Sequence, residues 1–280
     1  MTSASNESHR RSLLVIGHPG HELRVLGWVT QEKPLVCVLT DGSGGDEIPR
    51  TKQTRAILTA AGATTGPIFG MLTDRQIYEH MLAHDGHLFE DICERLAQVI
   101  IDQRIEVVVS DAVEGYNPTH DLCEVIVRSA VQIANARQSG SIRHYIIPLM
   151  GDPRSLGDGT EYSSVEVMLT PAQFQHKIDA VYDYAAHAGA TLQQEAEDTF
   201  RNFGKEAFSR EYLFSPTLSG INWERRFDAG KPYYETYGEK QVAAGRYQFV
   251  IRFREHILPL AKQLDEHAAN ISARAIGSHA

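Results

Sequence analysis

The sequence predicts an α/β fold: a Rossmann-like, doubly wound and mostly parallel sheet with helices on both faces, followed by a mainly helical C-terminal extension. Short β-branched runs without polar alternation recur through the first 150 residues. Such runs are typical of strands that are buried on both faces. Each run is followed by a stretch with helical periodicity, and this regular alternation favours a parallel sheet with crossover helices.

The elements of the sheet-forming part follow in chain order. Four runs rich in Val, Ile and Leu predict strands, at residues 12–16, 35–40, 106–110 and 144–149. Four stretches with apolar residues at helical spacing predict helices, at residues 22–30, 51–61, 88–102 and 118–136. The last helix follows Asn117 and Pro118, a pair that favours a helix start with Asn as the N-cap.

The second half of the chain has a different character. Residues 152–164 resemble a loop, 171–206 predict one or two polar helices, and 211–231 look irregular. Residues 234–267 predict a long helical stretch that is broken by Gly245 and by Pro259. No Gly/Ser linker separates the two halves. We therefore expect a disordered N-terminus at 1–11 and one domain at 12–280, with a motif-bearing core at 12–150 and a helical, capping part at 151–280.

Composition excludes several classes of protein. The net charge is −9 and no block of Lys and Arg tracks phosphates, so nucleic acid is not expected as the main partner. Three well-separated cysteines do not form a disulfide framework, which favours a reducing, cytoplasmic compartment. No apolar run approaches the roughly 18 residues of a membrane span, so none is expected.

Three histidines predict a metal site. His18 and His21 come directly after the first strand, and His120 falls in the first turn of the helix that begins at Pro118. Because the carboxyl ends of parallel strands meet at one edge of a sheet, these side chains are expected to converge there. Three protein ligands with a fourth position open for water is the arrangement of catalytic zinc sites. The expected cofactor is Zn²⁺ or another divalent transition metal.

Four motifs in this region resemble those of the PIG-L or LmbE-like family of metal-dependent de-N-acetylases. The family motif A-H-P-D-D-E is matched by G-H-P-G-H-E at 17–22, and a strand ending in T-D/N-G is matched by L-T-D-G at 39–42. Arg50 opens a matching helix that ends in A-G at 61–62, and H-P-D-H is matched by N-P-T-H at 117–120. The resemblance covers roughly residues 12 to 150.

The resemblance implies roles for individual residues. It implies that His18, His21 and His120 hold the metal, and that Arg50 contacts the substrate. His21 replaces an aspartate of the family pattern, so three neutral imidazoles would leave more positive charge on the ion. Gly20 stands where the family has its general base, which is therefore missing. Asn117 and Thr119 likewise replace the family's proton-transfer residues.

Replacement catalytic residues are expected at the same edge of the sheet. Asp41, Asp111, Glu114 and Asp121 are the candidate carboxylates. We favour Asp111 or Glu114 as general base, because their loop leads directly to His120. Asp41 could equally be a base or accept a hydrogen bond from an imidazole. Asn117 could donate its amide to an oxyanion.

The expected function is a zinc-dependent hydrolase that removes an N-acyl group from an amino sugar, a glycoconjugate or a secondary metabolite. Three alternatives stay open: hydrolysis of an ester or another amide, a degenerate sugar-binding protein, and, least favoured, a nucleotide-binding module. The expected partner is a small sugar-like molecule, and a homo-oligomer is possible. An aromatic and basic group in the C-terminal part would either stack on sugar or pack against the sheet; it comprises Trp223, Arg225, Arg226, Tyr233 and Tyr234.

Overall fold

The computed structural model describes residues 10–44, 47–138, 141–157, 162–216 and 222–277. Most of the N-terminus predicted to be disordered, residues 1–9, lies outside these ranges. Arg11 is described, and its carbonyl accepts a hydrogen bond from the Glu106 backbone N–H at 2.8 Å. No helix among the described residues is long and apolar enough to cross a membrane.

A seven-stranded sheet in the order β3-β2-β1-β4-β5-β7-β6 forms the centre of the described chain. Its strands are β1 Ser12–Ile16, β2 Leu35–Thr40, β3 Thr64–Leu72, β4 Val107–Asp111, β5 Arg143–Ile147, β6 Ser164–Met168 and β7 Arg210–Phe214. The first five are parallel to one another, and β7 is antiparallel to both β5 and β6. The predicted Rossmann-like, mostly parallel sheet is confirmed.

Helices cover both faces of the sheet. They are α1 Leu26–Glu32, α2 Thr51–Ala61, α3 Asp74–Leu82, α4 Gly86–Asp102, α5 Pro118–Arg137, α6 Pro171–Ala188, α7 Ala190–Phe203, α8 Tyr233–Ala243 and α9 Leu258–Gly277. Alternate residues of β1 enter different cores: Leu13 and Val15 pack towards α4, α5 and α9, whereas Leu14 and Ile16 pack towards α1, α2 and α6. A strand that is buried on both faces in this way needs apolar residues at every position, as the sequence has.

The sequence analysis missed three strands. β3 contains Gly66, Pro67 and Gly70, which disguise it, and its pairing with β2 is interrupted by register shifts. β6 is an edge strand with most of its residues exposed, so it lacks an apolar run. Residues 211–231 were expected to be irregular, and this is wrong at their start, because β7 covers Arg210–Phe214.

Two helical predictions also need correction. The segment expected as one helix at 22–30 begins as a 3₁₀ turn over His21–Val25 before α1. In the C-terminal stretch, Pro259 does not end a helix: a π-helical turn over Phe253–Ile257 leads directly into α9, and Pro259 lies in the first turn of α9, next to this irregular turn. The break lies between α8 and α9 and begins near Gly245, as predicted.

A buried ion pair joins the C-terminal part to the motif-bearing core. The Lys177 ammonium, on α6, donates to the Glu211 carboxylate on β7 at 2.7 Å and to the Arg24 carbonyl at 2.7 Å. The Glu211 carboxylate also accepts hydrogen bonds from the backbone N–H groups of Gly27, at 2.8 Å, and Trp28, at 2.7 Å. It therefore caps the first turn of α1 and fixes α6 beside it.

We expect Glu211→Ala to lower the free energy of unfolding by about 3–5 kcal/mol, because it leaves the Lys177 ammonium buried without its anion. Chemical denaturation of the full chain measures this change. The control is Glu166→Ala, which removes a carboxylate that is 47% exposed and paired with Arg210, and which should cost no more than about 1 kcal/mol. Equal losses in the two variants would contradict a structural role for the buried pair.

Candidate functional site

The structure brings the three predicted metal ligands together at the carboxyl ends of β1 and β4. The ring centroids of His18 and His21 are 5.4 Å apart, those of His18 and His120 are 5.2 Å apart, and those of His21 and His120 are 4.5 Å apart. The order of the strands reverses at this neighbouring pair: β2 and β3 follow β1 towards one edge of the sheet, whereas β5 follows β4 towards the other. Such switch points are where open α/β sheets place their ligands.

Local chain geometry sets the positions of these imidazoles. Gly20 adopts a positive φ of 103°, and the turn it makes allows the 3₁₀ turn to begin at His21. On the other strand, the Asn117 side chain accepts a hydrogen bond from the Thr119 backbone N–H at 2.8 Å. This confirms the predicted N-cap, and it places His120 in the first turn of α5.

His18 is held on one side by two oxygen atoms. Its Nδ1 lies 2.7 Å from the Thr40 hydroxyl and 3.1 Å from the Asp74 carboxylate. The second oxygen of that carboxylate accepts a hydrogen bond from the Gly44 backbone N–H at 2.7 Å. The Nε2 of His18 is buried and has no hydrogen-bond partner among the described residues. His18 therefore presents one unpaired nitrogen, and Asp74 fixes which one.

Asp111 plays the corresponding part for His21. Its carboxylate lies 2.9 Å from the Nδ1 of His21 and accepts a hydrogen bond from the Gly17 backbone N–H at 2.7 Å. The side chain is completely buried, and this burial raises the pKa of Asp111 to about 7. The carboxylate thus lies behind His21, on the side away from the cavity.

The imidazole nitrogens that these carboxylates do not contact are chemically suited to bind a metal. Burial, followed by repulsion from the neighbouring imidazoles, lowers the pKa of His21 and of His120 well below the ordinary value. Both rings are therefore neutral near pH 7, as ligands must be. The Nδ1 of His120 is buried without a hydrogen-bond partner. Nevertheless, no group of three or more His, Cys, Asp or Glu side chains in the described ranges meets the geometry needed to hold a metal ion.

A cavity of about 1870 Å³ extends from the three histidines. Four tyrosines in successive contact form a row along its wall: Tyr116, Tyr233 and Tyr237 are stacked, and Tyr247 packs edge-on against Tyr237. The row begins with a nearly parallel pair, since the Tyr116 and Tyr233 rings are 4.9 Å apart with 4° between their planes. Tyr116 in turn lies 6.4 Å from the His120 ring. The wall is thus continuous with the histidine cluster.

The residues of the C-terminal aromatic and basic group lie in two different places. Some of them line the cavity, and others pack elsewhere. Tyr233 and Tyr234 line the cavity. Trp223 is buried in the core instead, with its ring centroid 6.4 Å from that of Phe253. The Arg226 guanidinium donates to the Val113 carbonyl, and neither Arg225 nor Arg226 lines the cavity.

The remaining predicted carboxylates are engaged by backbone N–H groups. The Asp41 carboxylate accepts from Ser43 at 2.9 Å and shapes the turn after β2. The Glu114 carboxylate accepts from Leu149 at 2.7 Å and from Met150 and Gly151 at 3.2 Å. The Asp121 carboxylate accepts from Glu114 and from Gly115 at 3.0 Å. None of the three residues is among those that line the cavity in the described ranges. All three carboxylates therefore hold loops at the edge of the sheet.

Two predicted polar residues do line the cavity. The Asn117 amide donates to the Tyr78 hydroxyl at 3.1 Å. The Arg50 guanidinium donates to the Gly42 carbonyl at 2.6 Å, to the Pro19 carbonyl at 3.3 Å and to the Tyr184 hydroxyl at 3.2 Å. Arg50 thereby ties together the two loops that follow β1 and β2.

Sequence reasoning missed two residues of the site. Asp74 had a detectable signal, since Thr73 and Gln76 form a capping box at the start of α3 and place Asp74 in its first turn. Tyr184 had none. Its ring fills the space beside Gly20, where a Cβ would lie 2.7 Å from Cε1 and 2.9 Å from the hydroxyl oxygen. Gly20 is therefore required by a residue that is far away in the sequence.

Comparison with known proteins identifies solved structures with this fold. No model of a known family and no curated protein matches the sequence. The A40926 pseudoaglycone deacetylase is 17% identical with a TM-score of 0.51, over 76% of this chain and 100% of its own. A deacetylase of the teicoplanin biosynthesis pathway is 14% identical with a TM-score of 0.50, over 73% and 96%. The chain thus has an α/β fold that is also found in deacetylases.

We expect Gly20→Ala to lower the free energy of unfolding by about 1–3 kcal/mol from backbone strain, with a further loss from overlap with Tyr184. Chemical denaturation measures both contributions. Gly204→Ala is the matched control, because Gly204 also has a positive φ, of 76°, but nothing lies within 4 Å of its Cβ position. In a Tyr184→Ala background the additional loss at position 20 should disappear; its persistence would contradict the overlap.

Proposed function

We propose that this protein is a metal-dependent hydrolase that removes an acyl group from the nitrogen of an amino sugar carried on a larger molecule. The observation that carries this proposal is the cluster of His18, His21 and His120 at the switch point of the sheet. Three imidazoles at such a position, facing a large cavity, are the donor set of a catalytic zinc site. The family resemblance of the motifs supports the same conclusion, as does the deacetylase activity of both structural neighbours.

The residues fit a metal in chemistry and in spacing. Imidazole nitrogens that bind one zinc ion at about 2.0–2.1 Å place their ring centroids about 5 Å apart, and the separations here are 4.5–5.4 Å. Two of the rings are already oriented from behind, His18 by Asp74 and His21 by Asp111, as metal-binding histidines usually are. Since the present nitrogen positions do not form a complete site, we infer that loading requires reorientation of His120, the ring of the three that no carboxylate contacts among the described residues.

A divalent ion held by these histidines supplies Lewis acidity towards the acyl oxygen and lowers the pKa of water. The carboxylates predicted as base have other partners: Asp111 positions His21, and Glu114 holds the loop at 149–151. We therefore assign both of them to positioning. Asn117 and Arg50 face the cavity, and we assign them to contacts with polar groups of the substrate.

The size of the cavity favours a substrate larger than a single sugar. Pockets for small molecules usually occupy about 300–1,000 Å³, whereas this cavity measures about 1870 Å³. Its row of tyrosines offers apolar ring surface together with polar hydroxyl groups, which suits sugar rings and aromatic rings alike. A glycoconjugate or a secondary metabolite meets these requirements better than a free amino sugar does.

A second candidate function is binding without catalysis. Gly20 provides no carboxylate between the two histidines, and no complete metal geometry is present among the described residues. A protein of this fold that binds sugars would retain the cavity and its tyrosines. Hydrolysis of an ester is a third possibility, because an ester needs less assistance to its leaving group than an amide.

We expect the zinc-loaded protein to release acetate from an aryl N-acetyl-β-glucosaminide, with a KM about tenfold below that for N-acetylglucosamine because the aryl ring reaches the tyrosine row. Enzymatic detection of acetate measures the reaction, and a chelator should abolish it. Release from an aryl acetate ester alone would favour the esterase. Saturable binding of the glycoside without release from any substrate would favour the binding protein.

We expect zinc titration by calorimetry to give about one equivalent bound, and His120→Ala to abolish that binding. Asp74→Asn should weaken it by about 10- to 100-fold, because the neutral amide no longer fixes the orientation of His18. His187→Ala is the control, since the His187 side chain is 64% exposed and pairs only with Asp183 on its own helix. Unchanged binding in His120→Ala would exclude the proposed ligands.

A further inference from the structure

We propose that the Tyr184 hydroxyl is a catalytic hydrogen-bond donor that contacts the acyl oxygen of the substrate beside His18 and His21. This inference rests on the proposed function, which it deepens by naming a group for the developing oxyanion. The phenol keeps its proton throughout and acts only by hydrogen bonding. No carboxylate of the sequence motifs supplies such a donor.

Tyr184 lines the cavity together with His18, Gly20 and His21. Its hydroxyl oxygen is 2.9 Å from the point where a Cβ of residue 20 would lie, and its Cζ is 2.8 Å from that point. The phenol therefore occupies the space that a side chain at position 20 would fill. That space lies beside the short turn that joins the two histidines.

The Tyr184 hydroxyl has a charged hydrogen-bond partner, Arg50. The Arg50 guanidinium donates a hydrogen bond to the Tyr184 oxygen at 3.2 Å and lies 6.0 Å from the ring centroid. The Thr54 hydroxyl is a second side-chain partner of the phenol. Because the phenol oxygen accepts from Arg50, its own hydrogen is directed to another acceptor, which is Thr54 until a substrate oxygen replaces it. A hydrogen bond from a cation also polarises the hydroxyl and makes it a stronger donor. Arg50 is itself fixed by the carbonyls of Pro19 and Gly42.

The Tyr184 hydroxyl keeps its proton. Burial raises the pKa of Tyr184 far above its ordinary value, and Arg50 lowers it only in part. The residue is therefore a neutral phenol near pH 7. A neutral phenol donates a hydrogen bond to an oxyanion and is excluded as a general base.

Packing and a buried ion pair hold the Tyr184 ring in place. Lys177 and Tyr184 are seven residues apart on α6 and so lie on one face of that helix. The Lys177–Glu211 pair fixes this face against α1, directly beside the turn that carries Gly20. Tyr184 is only 7% exposed, and its position is thus determined by packing. Such preorganisation is what an oxyanion donor needs.

The test compares Tyr184→Phe with Tyr182→Phe in the zinc-loaded full chain. Tyr182 is on the same helix, is 37% exposed and does not line the cavity. With an aryl N-acetylglucosaminide we expect Tyr184→Phe to lower kcat by about 100-fold with KM changed less than about threefold. Tyr182→Phe should leave both constants unchanged. A loss of kcat below about threefold in Tyr184→Phe, or an equal loss in both variants, would overturn the proposal.

A binding measurement separates this proposal from the proposed function. A phosphonamidate analogue of the amide mimics the tetrahedral, charged stage of the reaction, and calorimetry should show it about 100-fold weaker in Tyr184→Phe. Binding of the intact glycoside should change less than about threefold. If the unsubstituted protein binds the analogue but releases no acetate, the hydrolase proposal fails, and this affinity ratio alone decides the role of Tyr184. An unchanged ratio, or no binding of the analogue at all, would overturn it.

Tyr184→Phe retains the aromatic ring, so the space beside Gly20 stays filled. Thermal unfolding of both variants checks that the packing is preserved. Arg50→Lys provides a second arm, because it keeps the charge but weakens the fixed hydrogen bond to the phenol. We expect an intermediate loss of kcat in Arg50→Lys, and a loss in the double variant no larger than that in Tyr184→Phe alone. Additive losses would overturn the coupling between the two residues.

Discussion

The Asp111 carboxylate is the contact on which the site depends. It lies at the end of β4 and accepts a hydrogen bond from the backbone N–H of Gly17, at the end of β1. The same oxygen contacts the His21 imidazole. One buried acidic group thus joins the two strands that flank the switch point and orients a histidine between them. A buried carboxylate is stable only if its partners are this close, so the three groups constrain one another.

Around this contact the chain has assembled a site from both of its halves. The motif-bearing half contributes the three histidines, Arg50 and the residues that orient them. The second half contributes Tyr184 from α6 and the tyrosines from α8 and the loop that follows it. The cavity is therefore not a feature of the sheet alone. Its base is formed by polar loop residues and its walls by aromatic residues of the later helices.

How far the sequence predicted this arrangement depended on whether the determinants were local. The strands at β1, β2 and β4, the N-cap at Asn117 and the meeting of His18, His21 and His120 all follow from patterns within a few residues and from the geometry of parallel strands. β3 and β6 escaped prediction because they are edge strands, which need no continuous apolar run, and two glycines and a proline interrupt β3. β7 lies inside the sheet, but it begins with Arg210 and Glu211 and so lacks a continuous apolar run.

The determinants that were missed are long-range contacts. Nothing near Tyr184 indicates that its ring lies beside Gly20, and nothing near Glu211 indicates that it caps α1. The two carboxylates expected to act as bases illustrate the same limit. The loop after β4 was located correctly, but which backbone N–H groups would surround Glu114 depends on the loop after β5. Sequence spacing locates a loop at the edge of a sheet without determining the direction of its side chains.

The strand order has a consequence for how the molecule is made. β7 lies between β5 and β6, and among the described strands β6 pairs with β7 alone. β6 and the helix that follows it therefore cannot join the sheet while the chain is emerging; they must wait for a strand synthesised some forty residues later. The histidine cluster belongs to strands that are synthesised before β6 and β7, whereas the wall bearing Tyr184 waits for β7. On a nascent chain the three histidines are thus exposed to solvent before this wall is in place.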